Sequence, residues 1–107
     1  MSEKYNLAAD EKAAAFIGKC YREAGYRIEL TEVKGEDTRK SIEDRELRLC
    51  IDQVLRECSS HTRWFIRNEY LQPKEPKWYL DYCSRTTYYR LKKKCVKEFM
   101  DKTRSLK

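Results

Sequence analysis

Apolar side chains recur along this chain at helical intervals, and charged residues fill the faces between them. Over residues 6–24, Ala13, Phe16, Ile17, Cys20 and Ala24 share one stripe while Asp10, Glu11 and Lys12 lie on the other side, the signature of an amphipathic helix. Gly25 stands where that helix would stop, because a left-handed residue costs glycine little. Beyond it Tyr26, Ile28 and Leu30 alternate with Arg27, Glu29 and Thr31. This two-residue period predicts an extended arm, a hairpin strand, or a strand completed by another chain.

Residues 34–40 hold Gly35 and several charges and read as a loop. Ser41 is placed to cap a second helix, with Glu43 and Asp44 in its first turn. Leu47, Cys50, Ile51, Val54, Leu55 and Cys58 then form a broad apolar stripe. Ser59 and Ser60 break it, and either can cap a shorter helix carrying Trp64, Phe65, Ile66, Tyr70 and Leu71. Pro73 and Pro76 bracket a polar connector in which a helix cannot easily continue. Residues 78–82 read as a short helix, followed at once by Ser84. From there Tyr88, Leu91, Cys95 and Phe99 recur at spacings of three and four, with Arg85, Arg90, Lys92, Lys93, Lys94 and Lys97 on other faces. The fold class expected is all-α, a small helical bundle ending in a helix-turn-helix. It is read as one compact domain: residues 1–58 form a helical bracing part, and residues 59–107 carry the candidate function.

At 107 residues the chain has room for one modest core. Its longest apolar run, Ala13 to Ile17, is far short of the roughly 20 residues a membrane helix needs. No membrane association and no secretory leader are expected. Cys20, Cys50, Cys58, Cys83 and Cys95 are odd in number and lack paired short spacings, so they read as reduced, mostly buried residues of a cytoplasmic protein.

Charge is distributed unevenly. Residues 61–107 hold thirteen Lys and Arg against five Asp and Glu, a balance of +8, whereas residues 1–60 balance at −2. A field polarised in this way suits a polyanion-binding surface, since neutralised phosphates release counterions. It equally describes a solvated basic face. Catalytic chemistry is not expected: no cysteine has an evident histidine partner, no glycine-rich phosphate loop is present, and the carboxylates are scattered among cations as helix-face pairs would be. Cys58 and His61 form a lone Cys-x-x-His pair, and zinc needs four ligands, often as two short pairs. Neither a metal nor another cofactor is expected.

Function is therefore sought in the stretch from Trp78 to Phe99, a short apolar helix, a tight turn and a Ser-capped basic helix. In a helix-turn-helix the second helix enters the major groove by its N-terminal end. Arg85 stands at that end, and Arg grips guanine with two hydrogen bonds. Exposed amides there, with the Ser84 and Thr86 hydroxyls, can hold phosphates. Trp64, Trp78 and Tyr79 could instead stack on unpaired bases, although their helical spacing favours packing.

Residues 51–99 resemble the fourth region of bacterial sigma factors and the related phage late-gene regulators of the ArpU type. The resemblance is carried by Val54-Leu55, by Arg63-Trp-Phe-Ile-Arg67 running to Tyr70, and by Ser84-Arg85 opening the last helix, with Cys95 where that pattern usually has alanine. The phrase from Ser84 to Lys93 also resembles small proteins of Gram-positive bacteria, their phages and mollicutes. The turn before Ser84 is about one residue tighter than in sigma factors, and the N-terminal half matches none of their polymerase-binding or promoter-melting parts. The resemblance thus implies a transcription regulator rather than a whole sigma factor. It implies that Arg85, Thr86 and Tyr89 face the bases of double-stranded DNA while Tyr88, Leu91, Cys95 and Phe99 face the core. With them the expected site comprises Ser84, Thr87 and the phosphate-holding Arg90, Lys92, Lys93 and Lys94. Homodimerisation is expected from the unpaired segment at Tyr26 to Leu30, and RNA polymerase is a further expected partner. The alternative is a protein-interaction module acting on RNA polymerase or a host factor; binding of RNA by the aromatic-rich half is a third reading.

Overall fold

The computed structural model describes residues 5–35 and 39–105. They form α1 (Leu7–Lys34), α2 (Arg39–Glu57), α3 (Ser60–Ile66), a π-helical continuation of α3 (Arg67–Leu71), a single 3-10 turn (Trp78–Asp81) and α4 (Arg85–Ser105), with no strand among the described residues. The fold is a small all-α bundle. Among the described residues, no helix is long and apolar enough to cross a membrane.

α1 departs from its expected form in two ways. It does not end at Gly25: it runs on to Gly35, whose φ of 70° supplies the left-handed cap and whose N–H donates to Glu32 and Thr31 carbonyls. The expected strand at Tyr26 to Leu30 is therefore helix. The reason is tertiary. α2 lies antiparallel on α1, with Tyr21 Oη donating to Asp52 and Arg27 gripping both carboxylate oxygens of Asp44 at 2.8 and 2.9 Å. Gly25 sits beneath the Arg48 guanidinium, 2.9 Å from where a Cβ would stand, and Arg48 stacks over the Tyr21 ring at 4.0 Å. Gly25 thus makes room for a neighbour instead of ending a helix.

The second departure is the buried face itself. Asp10, Ala14, Gly18, Tyr21, Ala24 and Gly25 are buried, whereas Phe16, expected in the core, is 66% exposed. Small residues decide this, because they let other elements approach closely. A Cβ on Gly18 would fall 3.0 Å from the Tyr70 carbonyl carbon. Arg22 donates to the Tyr70 carbonyl oxygen across the same contact.

Ser41 does not cap α2, which begins at Arg39; it lies inside the helix and is buried with Asp44. Of the stripe expected on α2, Ile51, Val54, Leu55 and Cys58 are buried, while Leu47 and Cys50 are exposed. Burial pushes the Cys58 thiol up to about 11, so it remains a protonated core residue. All five cysteines are free.

Ser59 caps α3, its Oγ accepting from the Thr62 N–H at 3.3 Å. Glu98, arriving from α4, accepts from the Ser59 N–H at 2.8 Å, from Ser59 Oγ and from Thr62 Oγ1. A carboxylate is favoured at a helix start. Burial works to raise the Glu98 pKa, but the Thr62 and Ser59 hydrogen bonds outweigh it and hold the group below its ordinary value.

Two predictions follow from this packing. Gly18→Ala is expected to lower stability by about 1–3 kcal/mol in urea unfolding, since its methyl meets backbone; Gly25→Ala meets the end of the Arg48 side chain instead of backbone and costs less. Glu98 contributes fully above the ordinary carboxylate range and loses its contribution as pH falls through its depressed folded pKa. Glu98→Gln is therefore expected to cost about 1 kcal/mol near neutrality and to flatten the acid limb of a stability-versus-pH curve.

Candidate nucleic-acid interface

The start of α4 is held from below by an aromatic and carboxylate cluster. The π-helical turn closes through an i→i+5 bond, Gln72 N–H to the Arg67 carbonyl at 2.7 Å, and Asn68 Nδ2 donates to the Trp64 carbonyl. One added residue in that turn lets Tyr70 and Leu71 both point inward and leaves Glu69 facing α4. Glu69 accepts from Trp78 Nε1 at 2.9 Å and from the Tyr88 hydroxyl, and pairs with Lys92 Nζ at 3.5 Å. Lys92 also reaches Glu11 of α1 at 2.5 Å. Above this cluster Tyr79 stacks on Tyr88, with ring centroids 3.8 Å apart and planes within 17°. Burial, then the Glu69 hydrogen bond, holds the Tyr88 hydroxyl far above its ordinary pKa, so it stays a donor.

Ser84 Oγ accepts from the Thr87 N–H and meets Thr87 Oγ1 at 3.2 Å, so α4 is Ser-capped. Ser84, Arg85, Thr86, Thr87, Tyr89, Arg90, Lys93 and Lys94 are all exposed, with Tyr89 at 54%. Their spacing sets Arg85, Tyr89 and Lys93 in one row and Thr86, Arg90 and Lys94 in the next. Arg85, Arg90, Lys93 and Lys94 form no ion pair among the described residues. Tyr88, Cys95 and Phe99 are buried and Leu91 is half-buried.

Lys92 does not belong with the expected phosphate-holding residues. Its side chain is 12% exposed and lies between Glu11 and Glu69. Burial alone would lower its pKa, yet those two carboxylates raise it, so it is a permanently charged structural cation. Lys97, next along the exposed face, is tied to Asp101 at 2.7 Å. Arg63, part of the sigma-like pattern, donates to the Arg56 and Cys58 carbonyls at the end of α2.

The segment expected as the first helix of the helix-turn-helix, residues 78–82, is only the 3-10 turn Trp78–Asp81. Trp78 and Tyr79 are buried in it, which fits packing and not base stacking. Trp64 is half-buried instead, lining with His61, Tyr82 and Thr87 a groove of about 470 Å³ between α3 and α4. Sequence reasoning missed Glu69, although a lone acid between Asn68 and Tyr70 in a basic half was the available signal. Comparison with protein-family models, with curated proteins and with solved structures finds no match for this chain.

Glu69→Ala removes the acceptor shared by Trp78, Tyr88 and Lys92. It is expected to lower stability by about 2–4 kcal/mol in denaturant unfolding and to shift tryptophan emission, because three donors lose one buried partner.

Proposed function

We propose that this protein binds double-stranded DNA through the start of α4 and acts as a sequence-specific transcription regulator. The observation that carries the reading is the separation of cations on α4: Lys92 and Lys97 are committed to carboxylates, while Arg85, Arg90, Lys93 and Lys94 stand exposed on two adjacent rows and form no ion pair among the described residues. Free cations on one rigid face are what counterion release rewards. A capped helix start adds outward amides for a phosphate, and Arg85 beside Tyr89 offers a fork for guanine together with an aromatic edge. The resemblance to sigma region 4 supports the same helix, with the 3-10 turn and its aromatic stack in the bracing position.

The test is a fluorescence-anisotropy titration against selected and scrambled duplexes at several salt concentrations. Arg85→Ala is expected to cost about 1–3 kcal/mol on the preferred sequence and to erase preference. Lys93→Ala should weaken all duplexes alike and reduce the salt slope by about 1. Lys92→Met should lower the melting temperature first, reflecting its structural role. Binding that ignores salt and Arg85, or a chain that captures RNA polymerase but no duplex, would overturn the reading.

A further inference from the structure

α1 carries a second stripe that the bundle does not use. Ala9, Lys12, Phe16, Lys19, Glu23, Tyr26, Leu30 and Val33 recur at alternating spacings of three and four, and all eight are exposed. Phe16 is 66% exposed, Tyr26 68%, Leu30 57% and Val33 86%. Alternating three and four is the seam of a coiled coil, and a soluble surface rarely sets Phe16, Tyr26, Leu30 and Val33 on one line without a partner. Near Phe16 the stripe borders an apolar groove of about 230 Å³ walled by Leu47, Cys50, Val54 and Phe99.

We infer that the occupant of this stripe is a second copy of the same chain, lying antiparallel along α1. Lys19 and Glu23 lie within 3.9 Å of each other along the helix and stay about half or more exposed, so they can also pair across a two-fold axis, and their order favours an antiparallel direction. An antiparallel copy with its two-fold axis level with Tyr21 sets Lys19 opposite Glu23 of the second copy and Glu23 opposite its Lys19. The same register sets Phe16 against Tyr26, Lys12 against Leu30 and Ala9 against Val33, each pair occurring twice. The two hydrophobic heptad positions thus meet each other, as antiparallel helices require. The Lys12 stem can lie along Leu30 with its ammonium in water. A parallel copy would oppose Lys19 to Lys19 and Glu23 to Glu23, which like-charge repulsion disfavours. The contact is isologous, so it closes at two chains.

Sedimentation velocity on the full chain tests this across a wide concentration range, with circular dichroism to confirm that each variant stays helical. The wild type is expected to move from one to two times 13.0 kDa as concentration rises. Leu30→Glu, at an exposed position, should abolish the larger species. Lys19→Glu and Glu23→Lys should each weaken dimerisation at least about tenfold, a loss on the order of 1.4 kcal/mol, and the double exchange should restore it. A single-chain mass at every concentration, a dimer indifferent to Leu30→Glu, or a double exchange that fails to recover association would each overturn the inference.

Discussion

The carboxylate of Glu69 is the constraint on which the C-terminal half depends. It is 13% exposed and takes hydrogen bonds from an indole and a phenol while neutralising an ammonium. A buried anion with fewer partners would carry a desolvation cost of several kcal/mol. With three donors from the 3-10 turn and α4, that cost becomes a geometric demand: Trp78, Tyr88 and Lys92 must converge on one point. Lys92 extends the demand to Glu11, so the N-terminal end of α1 is fixed by the same cluster. The π-helical turn is part of this arrangement, because a regular turn would rotate Glu69 away from α4.

That convergence sets the orientation of α4. Once Tyr88, Lys92, Cys95 and Phe99 point into the bundle, helical periodicity leaves Arg85, Tyr89, Lys93 and their neighbours facing solvent. Glu98 strengthens the same orientation further along, by capping α3 from α4. The exposed cations are therefore not a mobile fringe. They stand on a helix gripped at its first, second and fourth turns, which holds their relative positions.

How far the sequence revealed this differs element by element. The part of the α2 stripe from Ile51 to Cys58, the Ser59 and Ser84 caps and the core positions Tyr88, Cys95 and Phe99 were legible, because each rests on local periodicity or local hydrogen bonding; Leu47 and Cys50, assigned to the same stripe, are exposed. α1 was not. Gly25 and the alternation after it are local signals for a stop and a strand, and both were overridden by α2 packing along the C-terminal part of α1. Phe16 was assigned inward because it is large and apolar, yet the close approach of Tyr70 to Gly18 turned the small-residue face inward. Within the candidate site, the exposed residues around Arg85 were legible as a basic helix start. The status of Lys92 was not, since Lys92, Lys93 and Lys94 are identical in type and only the third dimension shows which of them meets Glu11 and Glu69.

The displaced Phe16 has a wider meaning for the molecule. A helix that turns Ala14, Gly18, Ala24 and Gly25 inward leaves larger apolar residues elsewhere, and on α1 Phe16, Tyr26, Leu30 and Val33 fall on an exposed line. Small side chains on the inner face of α1 permit close approach to a core of larger residues, and the exposed apolar line is the counterpart of that choice. Charged residues interrupt the line at Lys12 and, at its middle, at Lys19 and Glu23, whose opposite signs four residues apart are self-complementary in an antiparallel pair and repulsive in a parallel one. The same α1 thus supplies Glu11 to steady α4 from its inner side and an unpartnered seam on its outer side. One element therefore links the orientation of the basic helix to the face on which a second chain would rest.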